Sequence, residues 1–178
     1  LGALLAYAIS CEGFIVTHSQ ATSGSRNKTS DGGSSPGLDL QVTNSLSVNN
    51  HFDIAFVCGF TNDIPGSAAL SQAQAEALVT GNYATAIAPL LAAGIKVIHI
   101  MPPIRQNGGT NAEKLAEYNQ CKWVRDKLVA VYGSENVIDL FKVTARKSSV
   151  AADPVPYIWQ DGFTSDSIHP TIGGSGQA

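Results

Sequence analysis

The sequence predicts an α/β protein built on a parallel β-sheet. Four short apolar runs rich in β-branched residues are nearly continuous, which is typical of strands covered on both faces. Helical patterns separate these runs, and alternating strands and helices favour a parallel sheet with right-handed crossovers. Polar clusters follow the first three runs, where such sheets bind ligands. The four predicted strands span residues 14–18, 54–58, 97–101 and 137–140.

Helical patterns fill the intervals between the predicted strands. Residues 38–48 are a weak helix candidate within a long stretch rich in Ser, Gly and Asn. Residues 67–80 are rich in Ala and Gln, and a further helix is predicted over residues 82–93. In that helix Pro89 is expected to begin or kink the helix, and Gly94 is expected to end it.

The clearest helix is predicted over residues 111–132. Asn111 is expected to cap its N-terminus, Glu113 lies in the first turn and Gly133 follows its end. Six apolar residues recur at three- and four-residue steps, so they are expected to share one face of the helix. They are Leu115, Tyr118, Cys121, Val124, Leu128 and Val131.

Length and charge limit the classes of function. We expect a single domain over residues 1–178, cut from a longer chain at both ends, because the terminal segments resemble incomplete elements. The net charge of −3 gives no electrostatic case for binding nucleic acid or an anionic membrane. The apolar run that begins at Leu1 is too short to span a bilayer. Compartment is left open.

The cysteines and histidines predict no metal site or cofactor. The three cysteines are widely spaced and form no CxxC pair, so no zinc site or disulfide framework is implied. The histidines lack the spacing of metal ligands, and no glycine-rich nucleotide-binding motif occurs. His99 lies in the middle of a predicted strand, where we expect a core residue whose hydrogen bonds are satisfied.

One motif near the C-terminus suggests catalysis. Asp166 precedes His169 by three residues, and Pro170 follows. A carboxylate at this spacing can orient the imidazole as a general base, on a turn that the proline keeps from continuing as a helix. Taken alone, such a pattern more often marks a polar surface loop that contains a histidine.

Two further clusters follow predicted strands. Asn62 and Asp63 follow the strand at 54–58, and there an Asn side chain can donate to an oxyanion. Asp63 is expected to hold the loop by accepting hydrogen bonds from backbone N–H groups. Gly24 follows the strand at 14–18, where a missing Cβ lets a backbone N–H approach a substrate oxygen. Taken singly, each cluster is better explained by ordinary turn or loop chemistry.

Together and in this order, the three motifs resemble the SGNH (GDSL-type) hydrolase family over nearly the whole chain. Gly24 matches the glycine of the family's second block, and Asn62 the asparagine of its third. Asp166 and His169 match its D-x-x-H-P block. The resemblance implies a three-layer α/β/α sandwich with a flavodoxin-like parallel sheet.

The resemblance also implies an activity, that of a serine esterase acting on carboxylic esters. O-acetyl groups on carbohydrate are a candidate, so the expected partner is a small-molecule or polysaccharide ester. His169 would be the general base and Asp166 would hold its ring. The N–H of Gly24 and the side-chain N–H of Asn62 would bind the tetrahedral oxyanion.

Three features depart from the family pattern. The family's third block has a glycine where this sequence has Phe60, and Gly59 stands one step early. Ser19 stands where the family often has asparagine. The G-D-S segment that ends the family's first strand and supplies the nucleophilic serine is absent.

The missing block leads to an expectation about the rest of the molecule. We expect the serine to lie upstream of Leu1, and the family's first strand to be missing from the sheet. A preceding segment or a companion polypeptide would fill that gap and supply the serine, since unpaired apolar edges favour aggregation. The alternative is a non-catalytic carbohydrate- or partner-binding domain that has lost its nucleophile.

Overall fold

The computed structural model describes residues 26–32, 36–48, 52–64, 70–101, 110–140, 145–147 and 157–159. Its main sheet is open and parallel, and the strand order among the described residues is β1-β2-β3. A separate antiparallel pair is formed by β4 and β5. The strands are β1 (Ile54–Cys58), β2 (Lys96–Met101), β3 (Val137–Asp139), β4 (Ala145–Lys147) and β5 (Tyr157–Trp159).

The parallel sheet confirms the predicted α/β class and is compatible with a flavodoxin-like arrangement. β1 and β2 pair in register from Ile54 opposite Lys96 to Cys58 opposite Ile100. β1 has the predicted bounds, whereas β2 begins one residue earlier and β3 ends one residue earlier than expected. The predicted strand at 14–18 lies outside the described residues.

Four α-helices accompany the sheet in the described part of the chain. The weak candidate at 38–48 is confirmed as a helix, and the helix at 111–132 has the predicted bounds. The helices are α1 (Leu38–Val48), α2 (Gln72–Leu78), α3 (Ala84–Ala92) and α4 (Asn111–Tyr132). None of the described helices is both long and apolar enough to cross a membrane.

The short segment Val79–Tyr83 connects α2 to α3, at the boundary that the sequence predicted between two helices. Only Gly81 within it leaves helical backbone angles, with φ −100° and ψ −105°. Pro89 lies inside α3 rather than at its start, and Gly94 follows the helix with the expected left-handed φ of 73°. The chain is therefore kinked at Gly81, in agreement with the two separate helices that the sequence predicted here.

The N-terminal cap of α4 is Thr110 and not Asn111 as predicted. Thr110 has extended backbone angles, and its hydroxyl accepts a hydrogen bond from the Glu113 N–H at 3.3 Å. The Glu113 carboxylate accepts from the Thr110 N–H at 2.8 Å. A capping box needs Thr or Ser three residues before Glu, and only Thr110 has that spacing.

The buried face of α4 differs in part from the predicted face. Leu115 and Val131 are 40% and 46% exposed, whereas Glu117 and Gln120 are buried. Successive residues advance by about 100° around a helix, so Leu115 lies on the side away from the buried Leu128. The other four predicted residues are buried as expected: Tyr118, Cys121, Val124 and Leu128.

His99 is a core residue with a hydrogen-bond partner, as predicted. It is 2% exposed, and its Nδ1 lies 2.7 Å from the hydroxyl of Tyr83. Its ring stacks on Tyr132 with the ring centroids 4.0 Å apart. Burial lowers the pKa of His99 to about 4, so the imidazole is neutral at neutral pH and belongs to the packed interior.

Candidate functional site

The candidate site is the β1 turn, residues 59–64, at the carboxyl end of β1. Three backbone hydrogen bonds close it. The Thr61 N–H donates to the Gly59 carbonyl at 3.0 Å, and the N–H groups of Asp63 and Ile64 both donate to the Phe60 carbonyl at 3.0 Å. Asn62 is half-buried within this turn. The predicted oxyanion donor therefore lies on a short, hydrogen-bonded turn at a strand end where parallel sheets bind ligands.

Phe60 gives the β1 turn its unusual backbone. Its φ is +74°, in the left-handed region that residues with a Cβ avoid at a cost of about 1–2 kcal/mol. The side chain is 1% exposed, and its ring centroid lies 4.5 Å from that of Tyr83. Aromatic packing thus holds a conformation that favours glycine, at the position where the resembled family has glycine.

Gly59 lies where two neighbouring side chains approach the backbone closely. A Cβ at this position would lie 2.5 Å from Oδ1 of Asn27. It would also lie 3.1 Å from two ring carbons of Tyr83. A side chain at position 59 would therefore have to displace the end of the Asn27 side chain, which glycine avoids.

Asp63 connects the β1 turn to the segment that precedes α1. Its carboxylate accepts the N–H of Asn27, which lies 3.1 Å from Oδ1 and 3.2 Å from Oδ2. Burial raises the pKa of Asp63, and this effect exceeds the opposing effects of the Asn27 hydrogen bond and the nearby Arg26 charge. The prediction that Asp63 holds the loop through a backbone N–H is confirmed.

Asn27 is the residue at this site that the sequence did not reveal. It is 1% exposed, and neither Oδ1 nor Nδ2 has a hydrogen-bond partner. An unpaired buried polar group costs about 1–3 kcal/mol, so such groups are rare in native proteins. The sequence gives little indication of this role, because an asparagine in a polar stretch is common. Only its position three residues after Gly24 associates Asn27 with the predicted glycine loop.

The other predicted site residues lie outside the described part of the chain. Of the four, the structure describes Asn62, whereas Gly24, Asp166 and His169 are not among the described residues. Within the described ranges, no group of three or more His, Cys, Asp or Glu side chains is arranged to hold a metal ion. Of the proposed catalytic site, the structure therefore describes only the β1 turn and the neighbouring Asn27.

No protein-family model and no curated protein sequence matches this chain. An assignment of function therefore depends on the three motifs and on the geometry of the β1 turn.

Proposed function

We propose that this chain belongs to a serine esterase of the SGNH type that hydrolyses carboxylic esters. O-acetyl groups on carbohydrate are the candidate substrate. The observation that carries the proposal is the position of Asn62, on a closed turn at the carboxyl end of a parallel strand. The left-handed Phe60 supports it, because the backbone there favours the glycine that the resembled family has.

The proposed reaction uses a serine and the three motifs in two steps. The serine oxygen attacks the acyl carbon of the ester while His169 takes the hydroxyl proton, and the alcohol leaves with that proton. Water then attacks the acyl carbon and loses a proton to His169, and His169 passes this proton to the serine oxygen as the carboxylic acid is released. Asp166 holds the imidazole and stabilises its protonated form, whereas Gly24 and Asn62 donate hydrogen bonds to the oxyanion.

The nucleophilic serine is proposed to come from a strand outside residues 1–178. Among the described strands, β1 pairs with β2 and has no partner on its other edge. Ile54, Ala55 and Phe56 along this strand are half-buried apolar residues. In the resembled family the strand that carries the serine lies beside the strand matched by β1, so an upstream segment or a companion polypeptide would provide that strand together with the serine.

The first experiment locates the nucleophile in the natural protein that contains this sequence. We expect it to hydrolyse p-nitrophenyl acetate and to react covalently with a fluorophosphonate probe. Peptide mass spectrometry is expected to place the label on a serine outside residues 1–178. His169→Ala is expected to lower kcat by at least about 10³-fold, because the general base is lost.

Matched variants test the assigned roles. Asn62→Ala is expected to lower kcat by about 10²–10³-fold with little change in KM, because the donor acts on the transition state. Asn44→Ala, on an exposed position of α1, is the control and should leave kcat unchanged. Asp166→Asn should lower kcat, whereas Asp161→Asn, a carboxylate at the wrong spacing, should not.

Two results would contradict the proposal. One is a natural protein that neither hydrolyses esters nor carries a labelled serine, which would instead favour a non-catalytic binding domain. The other is ester hydrolysis that survives both His169→Ala and Asn62→Ala, which would place the activity elsewhere in the protein.

A further inference from the structure

Tyr83 is a buried polar residue that the proposed mechanism does not use. It is the last residue of the segment Val79–Tyr83, and none of its surface is exposed. Its ring centroid lies 4.5 Å from that of Phe60, and two of its ring carbons lie 3.1 Å from the place that a Cβ on Gly59 would occupy. The first two residues of the β1 turn, which also carries Asn62, therefore pack against Tyr83.

The hydroxyl of Tyr83 is fixed by the central strand among those described. It lies 2.7 Å from Nδ1 of His99 in β2, which pairs with β1 on one edge and with β3 on the other. The His99 ring stacks in turn on Tyr132 of α4, with the ring centroids 4.0 Å apart. The Tyr83 ring is thus held at its hydroxyl by β2 and contacts the β1 turn through its carbon atoms.

Burial keeps both partners of this hydrogen bond uncharged. It raises the pKa of Tyr83, and it lowers the pKa of His99 to about 4. At neutral pH a protonated hydroxyl therefore meets a neutral imidazole. Breaking their bond would leave a buried hydroxyl without a partner, which is costly in a protein interior, so the bond restrains the orientation of the Tyr83 ring.

The backbone of the β1 turn links the position of Phe60 to that of Asn62. The N–H groups of Asp63 and Ile64 both donate to the Phe60 carbonyl, so the turn closes around Phe60 with Asn62 inside the closed part. The left-handed φ of +74° at Phe60 persists only where the surrounding structure holds it. The contact with the Tyr83 ring supplies part of that support.

We propose that Tyr83 is a positioning residue, whose hydrogen bond to His99 holds its ring against Phe60 and thereby sets the place of Asn62 on the β1 turn. This inference rests on the proposed esterase function, in which Asn62 donates to the oxyanion. Tyr83 does not touch the reacting atoms; it acts through Phe60. Since an oxyanion donor must lie about 2.7–3.1 Å from the developing charge, a small shift of the turn weakens its effect.

The experiment measures hydrolysis of p-nitrophenyl acetate by variants of the natural protein. Tyr83→Phe keeps the ring beside Phe60 but loses the bond to His99. It is expected to lower kcat by about 10-fold with KM changed less than about twofold, because a displaced donor weakens transition-state binding.

Two variants of His99 test the same bond from its other side. His99→Asn places an amide atom near the position of Nδ1 and should retain most of kcat. His99→Gln carries its amide one bond further from the backbone, so it should lower kcat about as much as Tyr83→Phe does. If Tyr83→Phe does not fold, as followed by circular dichroism, this pair of variants decides the outcome.

Ile87 supplies a control matched in stability. It is buried in α3, one helical turn after Tyr83. Ile87→Val removes one methylene group from the core, and its effect on the urea midpoint is expected to be similar to that of losing one hydrogen bond. Its kcat should stay within about twofold of the original, because the variant leaves the bond between Tyr83 and His99 in place.

Two further measurements separate positioning from a general loss of stability. In the Asn62→Ala background, Tyr83→Phe should lower kcat less than in the original protein, because the donor that it positions is already absent. Amide hydrogen exchange, followed by mass spectrometry of peptides that cover the β1 turn, should be faster in Tyr83→Phe than in Ile87→Val.

The outcomes distinguish this inference from the proposed function. Hydrolysis that depends on His169 but is unchanged by Tyr83→Phe, or is lowered as much by Ile87→Val, overturns the positioning role alone. Equal effects of Tyr83→Phe in both backgrounds, or equal exchange at the β1 turn in the two variants, overturn it as well. Absence of any ester hydrolysis that depends on His169 overturns both proposals.

Discussion

Two loops make hydrogen bonds to the segment at residues 26–32, and they differ in how completely their polar groups are hydrogen-bonded. We call the first the α1 junction: Thr29, Gly37 and Asp39 at the start of α1. There Asp39 accepts two hydrogen bonds from Thr29, whose hydroxyl also accepts the Gly37 N–H at 3.0 Å. Burial alone would raise the pKa of Asp39, but hydrogen bonds from Thr29 and the Leu40 N–H lower it overall.

Backbone strain and incomplete hydrogen bonding distinguish the β1 turn from the α1 junction. Phe60 has a left-handed backbone, the carboxamide of Asn27 beside it is buried without a partner, and burial raises the pKa of Asp63. The α1 junction shows that neighbouring parts of the same chain follow ordinary local rules. Departures of this kind concentrate where function constrains the structure, so the difference supports the β1 turn as the functional site.

The largest expected effect tests the strain at Phe60. Phe60→Ala is expected to lower the free energy of unfolding by about 3–5 kcal/mol, because it removes a buried aromatic ring. Phe60→Gly loses the same ring but gains a backbone suited to the left-handed region. It is therefore expected to be more stable than Phe60→Ala by about 1–2 kcal/mol. Urea denaturation of the two variants measures the difference.

Val42 supplies the control for this comparison, since it is buried in α1 with a helical backbone. There glycine is expected to be less stable than alanine by about 1 kcal/mol, the reverse of the order at Phe60. The same order at both positions would mean that the β1 turn stores no backbone strain, and the contrast with the α1 junction would lose its main support.

The regular elements were predictable because their signals are local. The continuous apolar run at 54–58 predicted β1 with its observed bounds, and the pattern at 111–132 predicted α4 in the same way. Local signals also misled where two patterns competed. Asn111 suggested the cap of α4, although Thr110 has the correct spacing to Glu113.

The candidate site was predictable only in part, for a physical reason. Asn62 and Asp63 were found because an N-D pair after a buried strand is a recognisable turn. The burial of Asn27 could not be predicted, because it results from contacts with Gly59 and Asp63 more than 30 residues away. The left-handed backbone of Phe60 could not be predicted either, because phenylalanine has no local preference for it. Packing of the ring against Tyr83 holds this conformation.

The second prediction compares the glycines of the two loops. A Cβ on Gly37 would lie 2.6 Å from the backbone nitrogen of Thr29 and 2.9 Å from the carbonyl carbon of Lys28, neither of which can rotate away. Gly37→Ala is therefore expected to lower the free energy of unfolding by about 2–3 kcal/mol. In Gly59→Ala the nearest atom is the end of the Asn27 side chain, which can turn aside, so about 1–2 kcal/mol is expected.

Activity should follow the opposite order from stability. Gly59→Ala displaces Asn27 and the β1 turn, so we expect it to lower kcat for ester hydrolysis more than Gly37→Ala does in the folded protein. Thermal unfolding and steady-state kinetics on the same samples measure the two effects. Equal losses of kcat would indicate that the two loops matter equally for activity, contrary to the comparison.

The smallest effect is a pH dependence of opposite sign for the two carboxylates. The pKa of Asp39 is lowered below its ordinary value of 3.8, so the folded protein binds fewer protons there than the unfolded chain. Its contribution to stability is present above pH 3.8 and is lost as pH falls through the lowered pKa. The pKa of Asp63 is raised above 3.8, so ionisation of this carboxyl lowers stability as pH rises from 3.8 through the raised pKa.

Asparagine variants isolate these two contributions, because an amide does not titrate. Between about pH 2.5 and pH 6.5, the stability advantage of the original protein over Asp39→Asn should grow as pH rises. Its advantage over Asp63→Asn should shrink over the same range, since the original protein alone carries the buried charge. Urea midpoints at several pH values give both slopes. Slopes of the same sign would mean that the folded protein stabilises the ionised form of Asp63, as it does that of Asp39. The two loops would then differ only in backbone strain and in the unpaired Asn27 side chain.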